Sequence, residues 1–296
     1  MTQPIRSALL ASALGLGALT LSPGTPHLAG TAQAESIAPL DALRKAEADT
    51  LLQAMGMEEL YQIMREEGVD YASTIETDMF PGRGGEGWIK VVDGIYDTDR
   101  MHDLVLDAFA AETGEADLSE LQAFFDTELG KRIVTLEISA RRALLDEAVE
   151  DMSKEALAMM RDDADPRLEV LRGFVEANDL VETNVTGALN SNFAFYQGLK
   201  NGGAFGSELT EDDMLRDVWE QEPTIREETE EWVYSYLALA YQPLKDEEIA
   251  AYVDLSEKEI GETLNRALFA AFDVLFVTIS RDLGEGAAQF MIGEDI

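Results

Sequence analysis

The chain has 296 residues and a net charge of −37, because 59 acids face only 22 Lys and Arg, and it contains no Cys and two His. The lack of Cys excludes disulfides, a thiol nucleophile, cysteinyl zinc sites and iron–sulfur clusters. The scarcity of cations excludes a phosphate-tracking nucleic-acid surface, while a hydrophobic fraction of 46% is that of a folded globular protein.

The first 34 residues carry one charge, Arg6, and no acid. Ser7 to Leu21 is an apolar run, broken by Pro23, Gly24 and Pro26, and Ala32-Gln33-Ala34 follows with small residues at the cleavage spacing. A basic start, a short apolar stretch and an A-x-A site make a secretory signal peptide over residues 1–34. The run is shorter than the ~20 residues needed to span a bilayer. The expectation is therefore export to the periplasm as a chain starting at Glu35, with His102 the one remaining histidine and no transmembrane segment.

Beyond Glu35 the apolar residues recur every three or four positions. Between Met57 and Phe80 they fall at Leu60, Ile63, Met64, Tyr71, Ile75 and Met79, and between Asn178 and Leu199 at Val181, Val185, Leu189, Phe193, Tyr196 and Leu199. That spacing is one face of a helix, and no stretch sustains two-residue alternation. The fold class is all-α. Asp117 to Glu120 and Ser256 to Glu259 fit capping boxes at helix starts.

The chain also reads as two tandem copies, residues 35–160 and 161–296. Glu120-Leu121-Gln122-Ala123-Phe124-Phe125-Asp126 aligns with Glu248-Ile249-Ala250-Ala251-Tyr252-Val253-Asp254, and Gly130 with Gly261 after a short insertion. At the same offset Leu104, Val105, Ala108 and Phe109 meet Trp232, Val233, Tyr236 and Leu237, and further upstream the Gly-rich stretch Pro81 to Gly87 has a counterpart in Asn201 to Gly206. Order as well as similarity repeats, which makes a helical bundle of two similar halves the expected architecture.

The segment Leu118 to Arg132, LSELQAFFDTELGKR, resembles the central motif of the family catalogued as domain of unknown function 2059, in which E-L, an aromatic pair and G-K follow in one helical stretch. The resemblance implies a small, exported, helical bacterial protein and brings no reaction with it. In the second half it is degraded, since Glu262 stands where Lys131 stands.

No motif supplies chemistry. A nucleophile–histidine–acid triad would have to use His102, with Asp99 and Asp103 beside it, and a solvated surface histidine is the plainer reading. The Gly-rich stretches lack the Lys-Ser/Thr of a phosphate loop and read as hinges between helices. Neither Asp97-Thr98-Asp99 nor Asp162-Asp163-Ala164-Asp165 continues as a calcium loop. No cofactor or metal site is expected. Trp88, Trp219 and Trp232 read as core, and Leu268 to Ile279 as a buried central helix.

Three roles stay open. The first is a non-enzymatic protein that binds or supports an envelope component. The second is an enzyme of unrecognised type, gathering His102 or Arg141 and Arg142 with carboxylates. The third is an acidic protein that takes cations or a basic ligand. For the first, aromatics usually anchor a core and Phe124 is expected to pack inside. If the short helices instead lie at the mouth between the halves, Phe124, Phe125 and Tyr252 are the candidate partner-binding residues, with Lys131 and Arg132 as a basic spot that either balances acids such as Glu128 and Glu137 or faces an anionic partner.

Overall fold

A computed structural model describes residues 34–205 and 210–292, with side chains from residue 42 onward. Residues 1–33, which carry nearly all of the expected signal peptide, and residues 206–209, where the second Gly-rich stretch ends, lie outside it. The described residues form helices and turns without strands: α1 (Ala34–Ala54), α2 (Met57–Met79), α3 (Gly85–Ile95), α4 (Thr98–Thr113), α5 (Ser119–Phe125), α6 (Glu128–Ala143), α7 (Glu147–Asp162), α8 (Arg167–Ala177), α9 (Leu180–Asn201), α10 (Glu211–Trp219), α11 (Glu222–Ala240), α12 (Asp246–Ser256) and α13 (Glu259–Ile292). The chain is all-α, and none of these helices is long and apolar enough to cross a membrane.

The helix starts follow local chemistry, though not always at the expected residues. Asp97 caps α4 by accepting from the Arg100 amide at 2.9 Å, which commits a carboxylate of the rejected calcium loop to the backbone. Thr127 caps α6 through the Gly130 amide at 3.0 Å. The full capping box lies at Thr210 and Asp213, ahead of α10. Ser256 caps nothing, because it closes α12 and its hydroxyl donates back to the Tyr252 carbonyl. Asp117 accepts from the Ser119 amide, but Leu118 holds the cap position.

The main core runs from Ala48 to Phe290, and a small satellite gathers Val185, Ala188 and Ile225. α13 packs on both α9 and α4, while α6 and α7 pack on α11, so the N-terminal and C-terminal helices of the chain are interleaved. Asn190 pairs with Asp273 and Asn201 with Glu285, so α9 and α13 run parallel. Their backbones touch: a Cβ on Gly198 would sit 2.1 Å from the Arg281 carbonyl oxygen, and one on Gly284 2.3 Å from that of Phe195. Leu268, Phe272, Leu275 and Ile279 are fully enclosed, as a central helix requires, while Val274 reaches solvent.

Two local expectations change. The Pro81 to Gly84 turn is a pinned corner, not a hinge. The Glu76 carboxylate accepts from the amides of Gly84 and Gly85, Arg83 donates to the Met291 carbonyl, and Phe80 is sealed against Trp88 and Phe290. Trp219 is 64% exposed. Met214 and Val218 take the inward face of α10, and Trp219 stands one position further, about 100° around the helix.

Candidate partner-binding seam

Where the C-terminal ends of α5 and α12 meet, the structure gathers all five residues singled out as partner-binding. The α5–α6 corner is set by Gly130, whose absent side chain lets the α6 backbone rest on α5. A Cβ there would lie 2.2 Å from the Phe124 carbonyl oxygen, and one on Gly261 would lie 2.1 Å from that of Leu255. These corners bring the two short helices together. Phe124 stacks on Tyr252 with centroids 5.5 Å apart and planes 14° apart, and Phe125 meets both rings edge-on. Tyr252 continues to Phe174 at 5.1 Å, and Phe174 to Tyr241 at 5.4 Å.

Phe125 and Tyr252 are buried, 1% and 4% exposed, and Phe124 is half-buried between them and solvent. These rings glue the seam and offer a visitor little beyond one edge of Phe124. The accessible part lies beside them. An open cleft of about 580 Å³ is lined by Glu128, Leu129, Lys131, Arg132, Thr135 and Leu136 of α6 and by Glu248 of α12. Arg132 pairs with Glu248 at 2.9 Å and donates to the Pro243 carbonyl, while the Lys131 side chain has no partner among the described residues. The cleft therefore has apolar walls, a fixed ion pair, one uncommitted cation, Lys131, and one uncommitted acid, Glu128, among the described residues. Glu248, Leu129 and Leu136 are its additions to the sequence reading.

Beneath the seam lies a polar cluster that periodicity could have flagged. Gly130, Ile133, Glu137, Ala140 and Arg141 are the buried residues on one stripe of α6, so Glu137 sits where an apolar residue belongs. It balances neither Lys131 nor Arg132. It is 2% exposed and accepts from the Tyr241 hydroxyl at 2.6 Å, while the Tyr236 hydroxyl donates to its backbone carbonyl at 3.2 Å. Burial pushes the Glu137 carboxyl up to about 8, against the pull of the Tyr241 hydrogen bond. Burial likewise holds the Tyr241 phenol well above its ordinary value.

Arg141 enters the same region from the next turn. It pairs with Glu67 of α2 and lies over the Trp232 ring at 5.2 Å, which is itself stacked on Tyr236. Burial raises the Glu67 carboxyl, and Arg141 opposes that shift. Arg142 points away, to Glu66 at 3.3 Å. The two arginines thus serve separate surface-to-core pairs and share no pocket.

His102 lies elsewhere. Its Nε2 faces Asp49 of α1 at 3.3 Å, and its ring meets Tyr61 edge-on. Asp103 is one residue along the helix and so points about 100° away, and Asp99 is spent on the exposed first turn of α4. A second cleft, of about 280 Å³, is bordered by α3, α4 and α13 and contains the Arg100–Asp282 pair that joins α4 to α13. Among the described residues, no group of three or more His, Cys, Asp or Glu is placed to hold a metal ion.

Residues 99–158 match the model of a bacterial family described as an uncharacterized protein conserved in bacteria, DUF2059. The match covers α4, α5, α6 and most of α7, including Phe124, Phe125, Lys131, Arg132, Glu137 and Arg141. No curated protein and no solved structure matches the chain.

Proposed function

We propose that this chain is an exported, non-enzymatic binding protein of the bacterial envelope, and that the cleft between α6 and α12 is where its partner sits. The observation that carries this reading is the cleft itself: about 580 Å³, open, with Leu129 and Leu136 beside an unpaired Lys131. A site of that kind suits an extended partner segment carrying an apolar side chain and an acid placed to meet Lys131 and clear of Glu128, since apolar contact supplies affinity and the spacing of the two charges fixes orientation. The sequence of residues 1–34 supports export and a periplasmic location.

The same proposal includes the tandem origin. α1 to α6 and α8 to α13 follow in the same order, each with a long second helix, a Gly-rich turn, and a short aromatic helix entering a long one at a glycine. In the second half α13 runs unbroken over a span that the first half divides between α6 and α7. A site on the seam between two such copies would be asymmetric, because Lys131 has Glu262 as its counterpart.

An enzymatic role finds less support. Glu137 and Tyr241 make the one strongly perturbed acid pair at the seam, and at 2% and 1% exposure neither meets a substrate. The test is a photo-crosslinking residue at Thr135, on the cleft wall, in the exported protein. A discrete adduct that disappears in Lys131→Glu and Leu136→Asp, both folded by circular dichroism, is expected. Adducts indifferent to both changes, or none, would remove the cleft as the binding seat.

A further inference from the structure

α7 carries an apolar face that nothing in the fold covers. The helix packs chiefly on α11, burying Ser153 and Leu157. Around the helix from these, Ala148, Met152, Ala156 and Met159 follow at spacings of four, four and three and all lie in solvent, with Leu145 just ahead in the preceding turn. Met152 is 67% exposed, Met159 61% and Leu145 37%. Single exposed apolar residues are ordinary. A stripe aligned over three turns, roughly 16 Å of helix, is the pattern of a helix that meets another helix. Methionine suits such a face, because its unbranched thioether adapts to the surface laid on it.

The charge around the stripe identifies the kind of visitor. Its free edge is lined by Glu147, Asp151, Glu155 and Asp162, all exposed and none in a hydrogen bond or ion pair among the described residues. The cations of α7 lie between those acids and α11 and are already used, Lys154 by Glu150 at 2.6 Å and Arg161 by Glu230 of α11 at 3.8 Å. A second copy of this chain is the wrong occupant, since each would bring an acidic rim and a net charge of −37 to one contact. We infer that the Met152–Met159 face of α7 is a docking surface for a basic amphipathic helix of a partner protein, with the methionines taking its apolar side and the four acids its Lys or Arg.

The test uses the purified exported protein labelled on its methionine methyl groups and an 18-residue probe peptide. Leucines in the probe repeat at helical spacing, lysines fill the remaining positions, and a control peptide has the same composition with that spacing broken. The periodic peptide should gain helicity on binding, shift the Met152 and Met159 methyl signals, and bind at least about tenfold more tightly than the shuffled one. The Met152→Gln, Met159→Gln double variant, exposed at both sites and so expected to fold, should lose that advantage. Equal binding of both peptides would reduce the effect to bulk charge and overturn the proposal, as would periodic-peptide binding undiminished in the double variant. Sedimentation showing a dimer that the same variant abolishes would also overturn it, by giving the face to a second copy.

Discussion

Phe124 and Tyr252, which lie 128 residues apart at matching places in two similar sequence segments, stack face to face across the seam at 5.5 Å. Around them the contacts are reciprocal. Glu120 of α5 reaches Lys258 beside α12, and Glu248 of α12 reaches Arg132 of α6. Two copies of one helical unit meeting about an approximate two-fold axis would place their equivalent rings on that axis. The stack should therefore contribute as a pair. In a double-mutant cycle with Phe124→Leu and Tyr252→Leu, followed by urea unfolding, a coupling of about 0.5–1.5 kcal/mol is expected. Strict additivity would mean that the rings share a place but no interaction.

The glycines divide into two kinds, and stability measurements should separate them. Gly130→Ala and Gly261→Ala each drive a methyl into a backbone carbonyl that cannot yield, and each should cost about 2 kcal/mol or more. Gly173 in α8 and Gly187 in α9 have open space where a Cβ would go. Alanine at either should raise stability by about 0.4–1 kcal/mol through the unfolded chain. Similar effects at all four sites would contradict the close helix approach at the two corners.

How much of this was legible follows from what each feature depends on. Helical class needs only local periodicity, and the stripes at Leu60 to Ile75 and Val185 to Leu199 supplied it. The corner glycines were legible because each follows a short apolar segment with an aromatic, Gly130 after Phe125 and Gly261 after Tyr252. The partner of His102 was not, since Asp49 is brought to it by the packing of α1 on α4. Trp219 was misplaced because α10 has two neighbouring apolar edges, and only the tertiary fold decides which turns inward. The packing of α13 on α4, and of α6 and α7 on α11, is equally silent in the sequence. So the sequence could single out Phe124, Phe125, Tyr252, Lys131 and Arg132, while their meeting across α5, α6 and α12 depends on the tertiary packing.

Processing gives an independent check on export. Cleavage after Ala34 would leave Glu35 as the first residue, one position into α1. Intact-mass and N-terminal analysis of protein from a periplasmic fraction should find that terminus. Material beginning at Met1 in that fraction would refute the leader reading.

The last prediction concerns Glu137, the buried acid beneath the seam. Its carboxyl titrates at about 8 in the fold against an ordinary value of 4.5. Tyr241 faces it directly, Tyr236 meets its backbone carbonyl, and the phenols of Tyr252 and Tyr236 are raised first by burial and then by its charge. Below pH 4.5 the group is protonated whether the chain is folded or not, and it contributes no pH dependence. Between about 4.5 and 8 the unfolded chain has released the proton and the folded chain still holds it. The native state then binds more protons, so stability must fall as pH rises, by roughly 1.4 kcal/mol per pH unit at most. Above about 8 both states are ionised and the contribution levels off, leaving a charge sealed beside three phenols. Glu137→Gln keeps an acceptor for the Tyr241 hydroxyl and removes the proton. Urea-unfolding midpoints measured from pH 5 to 9 should decline less steeply in this variant than in the wild type, with the two curves diverging as pH rises. Parallel curves would mean that Glu137 is ionised in the fold at neutral pH, with water or a cation beside it that the enclosed geometry leaves no room to expect.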